Sequence, residues 1–245
     1  MNKNIKNAFT LAEVLITLAI IGVVAALTIP TLITNYQQQE WVVQFKKNYS
    51  IINRITNLAI MDYGSMAGWA LGEVDNGADA VRYVQTYMAP YLRIAKDCED
   101  STEGDCGYTT RGLNGTPSMP IDGRFAKLYL ADGSLLGFRI YDNTSTRKRV
   151  LIVFDSNGQK KPNIYGKDIF YMLHVIAFDN RTDARGKLVS AGGGGAIDSV
   201  NDSNSACKKS GRGYYCGHVI MQNSWKIPSK EEYVRLGGSI EEYPW

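Results

Sequence analysis

The sequence has little that could move protons near neutral pH. Only two histidines, His174 and His218, occur among its 245 residues, and histidine is the one side chain whose ordinary pKa lies in that range. His174 stands inside an apolar run that predicts a strand, where a packed core histidine is the usual outcome, and His218 has no evident partner. The nucleophile elbow G-x-S-x-G, the zinc motif H-E-x-x-H and the Walker phosphate loop are also missing. The sequence therefore predicts a protein that is not an enzyme.

A strong positive charge is missing as well. The chain has 27 Lys and Arg against 24 Asp and Glu, a net charge of +3. A broad nucleic-acid surface needs clustered basic residues that displace counterions from phosphates, so such a surface is not expected. One short segment, KKSGRGYY, interleaves basic residues with aromatic rings that could stack on bases, and its alternative interpretation is a solvated loop. The residues of this ligand patch are Lys208, Lys209, Arg212, Tyr214 and Tyr215.

Cysteine is scarce, and its four copies form two local pairs. The pairs are Cys98 with Cys106 and Cys207 with Cys216, both in polar, glycine-containing sequence that is typical of exposed loops. Four cysteines allow three connectivities. The local pairing favours two disulfide-closed loops, provided that the body lies in an oxidising compartment. Four reduced thiols are the alternative, and zinc fits less well because neither pair has the two-residue gap of a zinc knuckle.

One long apolar run is present. From Phe9 to Ile29 it reads FTLAEVLITLAIIGVVAALTI, after the basic leader MNKNIKNA. At about 1.5 Å per residue, a helix of this length spans roughly 30 Å, the thickness of the hydrocarbon core of a bilayer. Lys3 and Lys6 favour a cytoplasmic N-terminus. We therefore expect a single-pass precursor in the cytoplasmic membrane, with its C-terminal body outside the cytoplasm.

One acid, Glu13, interrupts this apolar run. A carboxylate at membrane depth is costly unless it has a partner, so an ionisable residue there indicates a function. An ordinary membrane anchor, a secretory signal peptide cut near Ala25 and Ala26, and a buried core helix all have no use for it. An ammonium group from a neighbouring chain would offset the cost of burying the carboxylate.

Together these features resemble the prepilin-type cleavage and methylation motif of type IV pilins, type II secretion pseudopilins and competence pseudopilins. The motif comprises a basic leader, a small residue before the cut, an aromatic first mature residue and a glutamate at the fifth mature position, followed by a helix with a glycine and a proline. The matching residues are Ala8, Phe9, Thr10, Leu11, Glu13, Gly22 and Pro30. Ala8 departs from the family pattern, which usually has glycine before the cut, and this is expected to slow processing, with a complete block as the alternative.

The resemblance implies several partners and roles. A prepilin peptidase would cut between Ala8 and Phe9 and methylate the new amine of Phe9. An assembly platform with its ATPase would then move the subunit from the lipid bilayer into a polymer with other pilin subunits. Glu13 would serve assembly, and Pro30, which removes a helix hydrogen bond, would kink the helix or melt it locally.

These roles predict a structural subunit of a type IV pilus or a type II secretion pseudopilus. The alternative is an exported, membrane-anchored binding module for DNA uptake or surface adhesion, which would use the ligand patch around Lys208 and Tyr214.

The rest of the chain predicts an α+β, pilin-like fold. Apolar residues at helical spacing continue to about Met61, and a second, shorter helix is expected over 78–96 despite Pro90. Strands are expected at RFAKLYLA, SLLGFRIY, RVLIVFD and IFYMLHVIAF, the first two joined by a two-residue turn at Asp132 and Gly133. They predict an antiparallel meander of about four strands packed on the long helix.

Domain boundaries follow from these elements. We expect a leader peptide at 1–8, a transmembrane and assembly helix at 9–35 and an exported globular domain at 36–245. Within the globular domain we expect the core at about 36–180. The disulfide-containing C-terminal region is expected at about 181–245, and the resemblance to pilins implies that it is variable and faces outward from the filament.

The loop DSNGQKKPNIYGKD raises the question of a metal. Asp155, Asn157 and Asp168 offer the oxygen ligands that calcium prefers. However, Gly158 comes two positions too early for an EF-hand, and the twelfth position is Gly166 instead of an acid. The sequence therefore favours a turn held by Asx hydrogen bonds. We expect no cofactor, with calcium at these three residues as the alternative.

Overall fold

The computed structural model describes residues 10–98, 106–145, 147–177, 187–190, 200 and 204–245. The chain divides into two compact units, Met1–Glu40 and Trp41–Trp245. Helix α1 covers Leu11–Tyr63 and contributes to both units, so the long apolar helix is confirmed. The buried residues of α1 all belong to the second unit: Val42, Phe45, Asn48, Ile52, Ile55, Thr56 and Ala59.

A six-stranded sheet forms the centre of the second unit. Its strands are antiparallel and lie in chain order, so the sheet is a simple meander. The strands are β1 (Ile94–Cys98), β2 (Ala126–Leu130), β3 (Leu135–Asn143), β4 (Lys148–Asp155), β5 (Ile169–Ala177) and β6 (Lys187–Ser190), and the shorter helices are α2 (Gly77–Tyr87), α3 (Cys216–Gln222) and α4 (Lys230–Arg235). The predicted α+β meander is confirmed, and β1 and β6 extend the four expected strands at its two edges.

The turn between β2 and β3 has three residues instead of the predicted two. The Leu130 N–H donates to the Ser134 carbonyl at 2.9 Å, and the Gly133 N–H donates to the Leu130 carbonyl at 2.9 Å. A two-residue type I′ turn needs a positive φ at both central residues. Of the predicted pair Asp132–Gly133, only Gly133 has one, at 84°. The Asp132 carboxylate instead accepts the Ser134 N–H at 3.1 Å, which extends the loop by one residue.

The second helix is shorter than predicted. α2 ends at Tyr87, and Pro90 lies in the 3₁₀ turn Ala89–Tyr91 that follows it. A proline ring cannot continue an α-helix, and it disfavours helical geometry in the residue before it. The chain then enters β1, so the expectation of a helix to residue 96 was wrong.

Hydrophobic residues are buried on both faces of the sheet. The larger core lies between α1, α2, α3 and one face of the sheet, with Phe45, Phe154 and Phe170 among its buried members. Within it the Phe45 ring is stacked on the Phe170 ring, with centroids 4.5 Å apart. The smaller core covers the opposite face and contains Phe125 and Tyr165. Strands β2 to β5 thus alternate between two buried faces, which explains their nearly continuous apolar sequence.

The C-terminal region packs into the larger core. The disulfides Cys98–Cys106 and Cys207–Cys216 are both present, and all four cysteines are buried. The cysteine side chains themselves are thus not exposed, whereas Lys209 and Ser210 between the second pair are. Residues 99–105 between the first pair lie outside the described residues, so their expected exposure stays a prediction. Glycine permits the close approach, because a Cβ at Gly217 would lie 3.0 Å from the Phe45 ring.

Candidate processing and assembly site

The first unit presents apolar side chains outward. None of the described residues 10–40 is buried within the chain. The exposed large apolar side chains are Leu11, Val14, Leu15, Ile16, Leu18, Ile20, Ile21, Val23, Val24, Leu27, Ile29, Leu32, Ile33 and Tyr36. A soluble monomer rarely exposes a contiguous apolar surface of more than a few hundred square ångströms. In the described part of the chain, α1 is long and apolar enough to cross a membrane, and this surface suits lipid or other helices.

Glu13 closes the first turn of α1. The backbone N–H and the hydroxyl of Thr10 both donate to Glu13 Oε2, each at 2.8 Å, and the Glu13 N–H donates back to Thr10 Oγ1 at 3.3 Å. This reciprocal pattern is a capping box, which satisfies two N–H groups that the helix itself leaves without acceptors. The sequence reasoning missed it, although T-L-A-E at 10–13 carries the S/T-x-x-E signature.

The second oxygen of Glu13 is not used by the cap. Among the described residues, Oε1 has no hydrogen-bond partner. The carboxylate can therefore hold the helix end with one oxygen and accept an external cation with the other. A negative charge also suits the positive end of the helix dipole.

Two family models together match almost the whole chain. The model described as "Family of unknown function (DUF6613)" matches residues 31–233. The chain belongs to the DUF6613 family. The prokaryotic N-terminal methylation motif matches residues 3–29, which makes this DUF6613 protein type IV pilin-like. No curated protein and no solved structure matches it.

The predicted processing residues, Ala8 and Phe9, lie outside the described residues. The methylation motif covers both of them, together with Glu13. Pro30 lies within α1, which is helical on both sides of it. The predicted kink at Pro30 stays a prediction.

Asp155 and Asp168 act as hydrogen-bond acceptors inside the DUF6613 domain. The Tyr108 hydroxyl donates to Asp155 Oδ2 at 2.5 Å, and the Asn157 N–H donates to Oδ1 at 3.1 Å. Burial raises the pKa of Asp155 to about 8, and the nearby Asp168 carboxylate also raises it. Asp168 accepts the N–H groups of Asn163 and Ile164, both at 2.8 Å, and burial raises its pKa as well.

These bonds bear on the calcium alternative. All four carboxylate oxygens of Asp155 and Asp168 accept protein donors, so a calcium ion would have to displace them. The described residues contain no group of three or more His, Cys, Asp or Glu side chains placed to hold a metal. The geometry favours the Asx-bonded turn, and calcium at Asp155, Asn157 and Asp168 stays a prediction.

The ligand patch is only partly available for binding. The Tyr214 ring packs edge-to-face on Tyr165 and Tyr171, at 4.8 and 5.2 Å, and its hydroxyl lies 2.6 Å from Ser118 Oγ. The Glu242 carboxylate accepts the Ser210 N–H at 2.8 Å and places negative charge beside Lys208 and Lys209. This placement does not favour base stacking by Tyr214, and the patch stays a prediction.

Sequence reasoning missed a basic groove beside α1. Its volume is about 620 Å³, within the range of ligand and docking cavities. Three segments distant in sequence meet there: α1, the end of the 3₁₀ turn, and the β2–β3 turn. The lining residues are Lys47, Ile51, Arg54, Tyr91, Leu92, Arg93, Leu130, Ala131 and Asp132. No short motif joins them, so only the fold reveals the groove.

Proposed function

We propose that this protein is a structural subunit of a type IV pilus or a type II secretion pseudopilus. It is made as a membrane prepilin, cleaved after Ala8, N-methylated at Phe9 and polymerised through its N-terminal helix. One observation carries the proposal: the methylation motif over 3–29 includes the first part of an apolar helix whose side chains are exposed within the chain. A subunit of this kind acts by packing against other subunits and does not catalyse a reaction.

The proposal includes a membrane topology for the precursor. The precursor crosses the cytoplasmic membrane once, and the second unit lies outside the cytoplasm before it enters the polymer. The two disulfides support this placement, because disulfides persist in oxidising compartments. Its partners are the lipid bilayer, the prepilin peptidase, other pilin subunits, and the assembly platform with its ATPase.

Glu13 gives the polymer its register. The apolar surface of α1 alone would let neighbouring helices slide past one another, because apolar contacts have no direction. A carboxylate that keeps one oxygen free can pair with the Phe9 amine of a neighbouring subunit, and in a low dielectric such a pair forms at one position only. The capping box holds the carboxylate at the helix end, where that amine would lie.

The test is the mature N-terminus. Cells expressing the full chain are separated into membranes and a sheared surface fraction, and the protein in each is analysed by intact mass and N-terminal sequencing. A polymerised species that begins at methylated Phe9 is expected; recovery in the sheared fraction indicates a pilus, and retention in the envelope indicates a pseudopilus. A species that keeps Met1, or begins near Leu27, would overturn the proposal.

A further inference from the structure

The basic groove carries an excess of positive charge that the described chain does not neutralise. Its lining has three basic residues, Lys47, Arg54 and Arg93, and one acid, Asp132. Lys47 pairs with Asp132. The hydrogen bonds that Asp132 accepts from Lys47 and Ser134 outweigh its burial and lower its pKa, so this acid stays ionised. Arg54 and Arg93 are exposed and have no partner among the described residues.

The frame that holds these two arginines is fixed. The Tyr91 hydroxyl donates to Asp62 Oδ2 at 2.5 Å, which ties the 3₁₀ turn to α1. The pair between Lys47 and Asp132 ties the β2–β3 turn to the same helix. Guanidinium groups match carboxylates with two parallel hydrogen bonds. A groove held in this way, with two unpaired guanidinium groups, is preorganised for a partner that carries more than one carboxylate.

The chain itself contains a segment of that chemistry. Seven residues separate Cys98 from Cys106; four of them are acidic and none is basic. The acids of this acidic loop are Glu99, Asp100, Glu103 and Asp105. The disulfide holds the ends of the loop together, with the two Cα atoms 6.3 Å apart. Closely spaced carboxylates repel one another, so the loop gains from meeting cations.

We propose that the basic groove of one copy binds the acidic loop of a neighbouring copy. Within one chain, Arg93 precedes β1 and Cys98 ends it, so β1 lies between the groove and the first cysteine of the acidic loop. Ile94 pairs with Leu130 of the groove lining, whereas Cys98 pairs with Lys127 at the other end of β2. The proposal rests on the proposed function, because a polymer holds copies side by side. Two free guanidinium groups are too few for a nucleic-acid stripe.

The test places a photo-cross-linker in the groove of the full chain. Benzoylphenylalanine replaces Ala131, an exposed groove residue, and copies grown separately in nitrogen-14 and nitrogen-15 medium are mixed in membranes. After irradiation and trypsin digestion, the expected product joins the groove to residues 97–111 of the other isotope. The matched control has the same cross-linker at exposed Ser145, in the turn at the opposite end of the sheet, and is expected to give no such product.

A second experiment tests the same docking by reversing the charges on both sides. Arg54→Glu with Arg93→Glu should abolish the cross-linked dimer of two differently tagged copies, and Glu99→Lys with Asp100→Lys in the partner copy should restore it. The matched control is Arg147→Glu, an exposed arginine outside the groove, which should leave the dimer unchanged. Three outcomes would each overturn the docking. They are cross-linked products whose two peptides carry the same isotope, the absence of any product with residues 97–111, and a dimer that persists in the Arg54→Glu, Arg93→Glu variant. Processing at Phe9 is measured separately, so loss of docking with normal processing and assembly refutes this inference alone.

Discussion

At the scale of single residues, Glu13 combines a helix cap with a free carboxylate oxygen. Glu13→Gln keeps the capping box, since glutamine is accepted at that position, but it removes the charge. We expect Glu13→Gln and Glu13→Ala to insert into the membrane as the wild type does and to be lost from the polymerised fraction, because neither can pair with an amine. Immunoblots of membrane and sheared fractions measure both steps. Normal polymerisation of Glu13→Gln, with loss of Glu13→Ala, would instead assign Glu13 to the cap alone.

Asp155 predicts an unusual dependence of stability on pH. Its pKa in the folded state, about 8, lies above the value of about 4 in an unfolded chain. The folded state therefore binds more protons than the unfolded state between these values, and the contribution of Asp155 to stability is lost as the pH rises from about 4 to about 8. Asp155→Asn removes the titration. The free energy of unfolding of the wild type, minus that of Asp155→Asn, should fall between pH 5 and pH 8 by on the order of a few kcal/mol.

Urea unfolding of the full chain in a non-ionic detergent, followed by near-ultraviolet circular dichroism, measures this difference. Asp132→Asn is the control of opposite sign, because the folded state lowers the pKa of Asp132. The contribution of Asp132 should be present at neutral pH and lost only as the pH falls below about 4. An equal difference between wild type and Asp155→Asn at pH 5 and pH 8 would refute the role of Asp155.

At the scale of elements, long uniform patterns predicted the structure and short mixed ones did not. Helix α1 could be predicted from apolar residues at helical spacing, and β4 and β5 from continuous apolar runs. β1, with the sequence IAKDC, is an edge strand whose pairing with β2 depends on distant residues. The predicted second helix failed at Pro90, where a local steric rule should have outweighed the apolar spacing.

The residues of the candidate sites also differ in how far the sequence could predict them. Ala8, Phe9 and Glu13 belong to one continuous motif, which the family model also matches, so the sequence alone could predict them; their roles stay predictions. The basic groove could not be predicted, because Lys47, Arg93 and Asp132 meet only after the fold brings three segments together. The burial of Cys207 and Cys216 was hidden for another reason: their neighbours are polar or glycine, and close packing against α1 is what buries them.

The two disulfide-closed segments differ in packing more than in loop length. The paired cysteines are 8 and 9 residues apart, so loop-closure entropy differs by only about 0.1 kcal/mol between the two disulfides. Cys207 and Cys216 also belong to the larger core, whereas Cys98 and Cys106 belong to neither core. We expect Cys98→Ala with Cys106→Ala to cost about 2–3 kcal/mol. Cys207→Ala with Cys216→Ala should cost roughly 1 kcal/mol more, from the cavity left behind.

Parallel urea unfolding of the two double variants, with the wild type alongside, measures this ordering. Equal losses of unfolding free energy would mean that neighbouring side chains relax into the cavity left by Cys207 and Cys216 and fill it. A larger loss for the Cys98 and Cys106 variant would contradict the packing argument. The comparison is internally controlled, because each double variant removes one disulfide and leaves the other intact.

At the scale of the whole molecule, folding and assembly belong to different parts of the chain. Every buried residue of α1 lies at or beyond Val42, and the second unit contains both hydrophobic cores and both disulfides. Residues 10–40 bury nothing within the chain. The first unit therefore adds little to the stability of the second, and its exposed apolar surface is the one that the proposed function assigns to lipid and to neighbouring subunits.

This division predicts that residues 36–245, exported to an oxidising compartment without the preceding helix, form a folded and soluble domain. We expect two disulfides, a cooperative unfolding transition and a single monomeric species in sedimentation, because both cores are complete without residues 1–35 and the large apolar surface has been removed. The full chain should need detergent or membrane under the same conditions. A Phe45→Ala version is the control for core integrity, since loss of a buried phenylalanine should cost about 3–5 kcal/mol. Aggregation of the 36–245 domain, or unfolding without cooperativity, would show that the N-terminal helix is part of the fold.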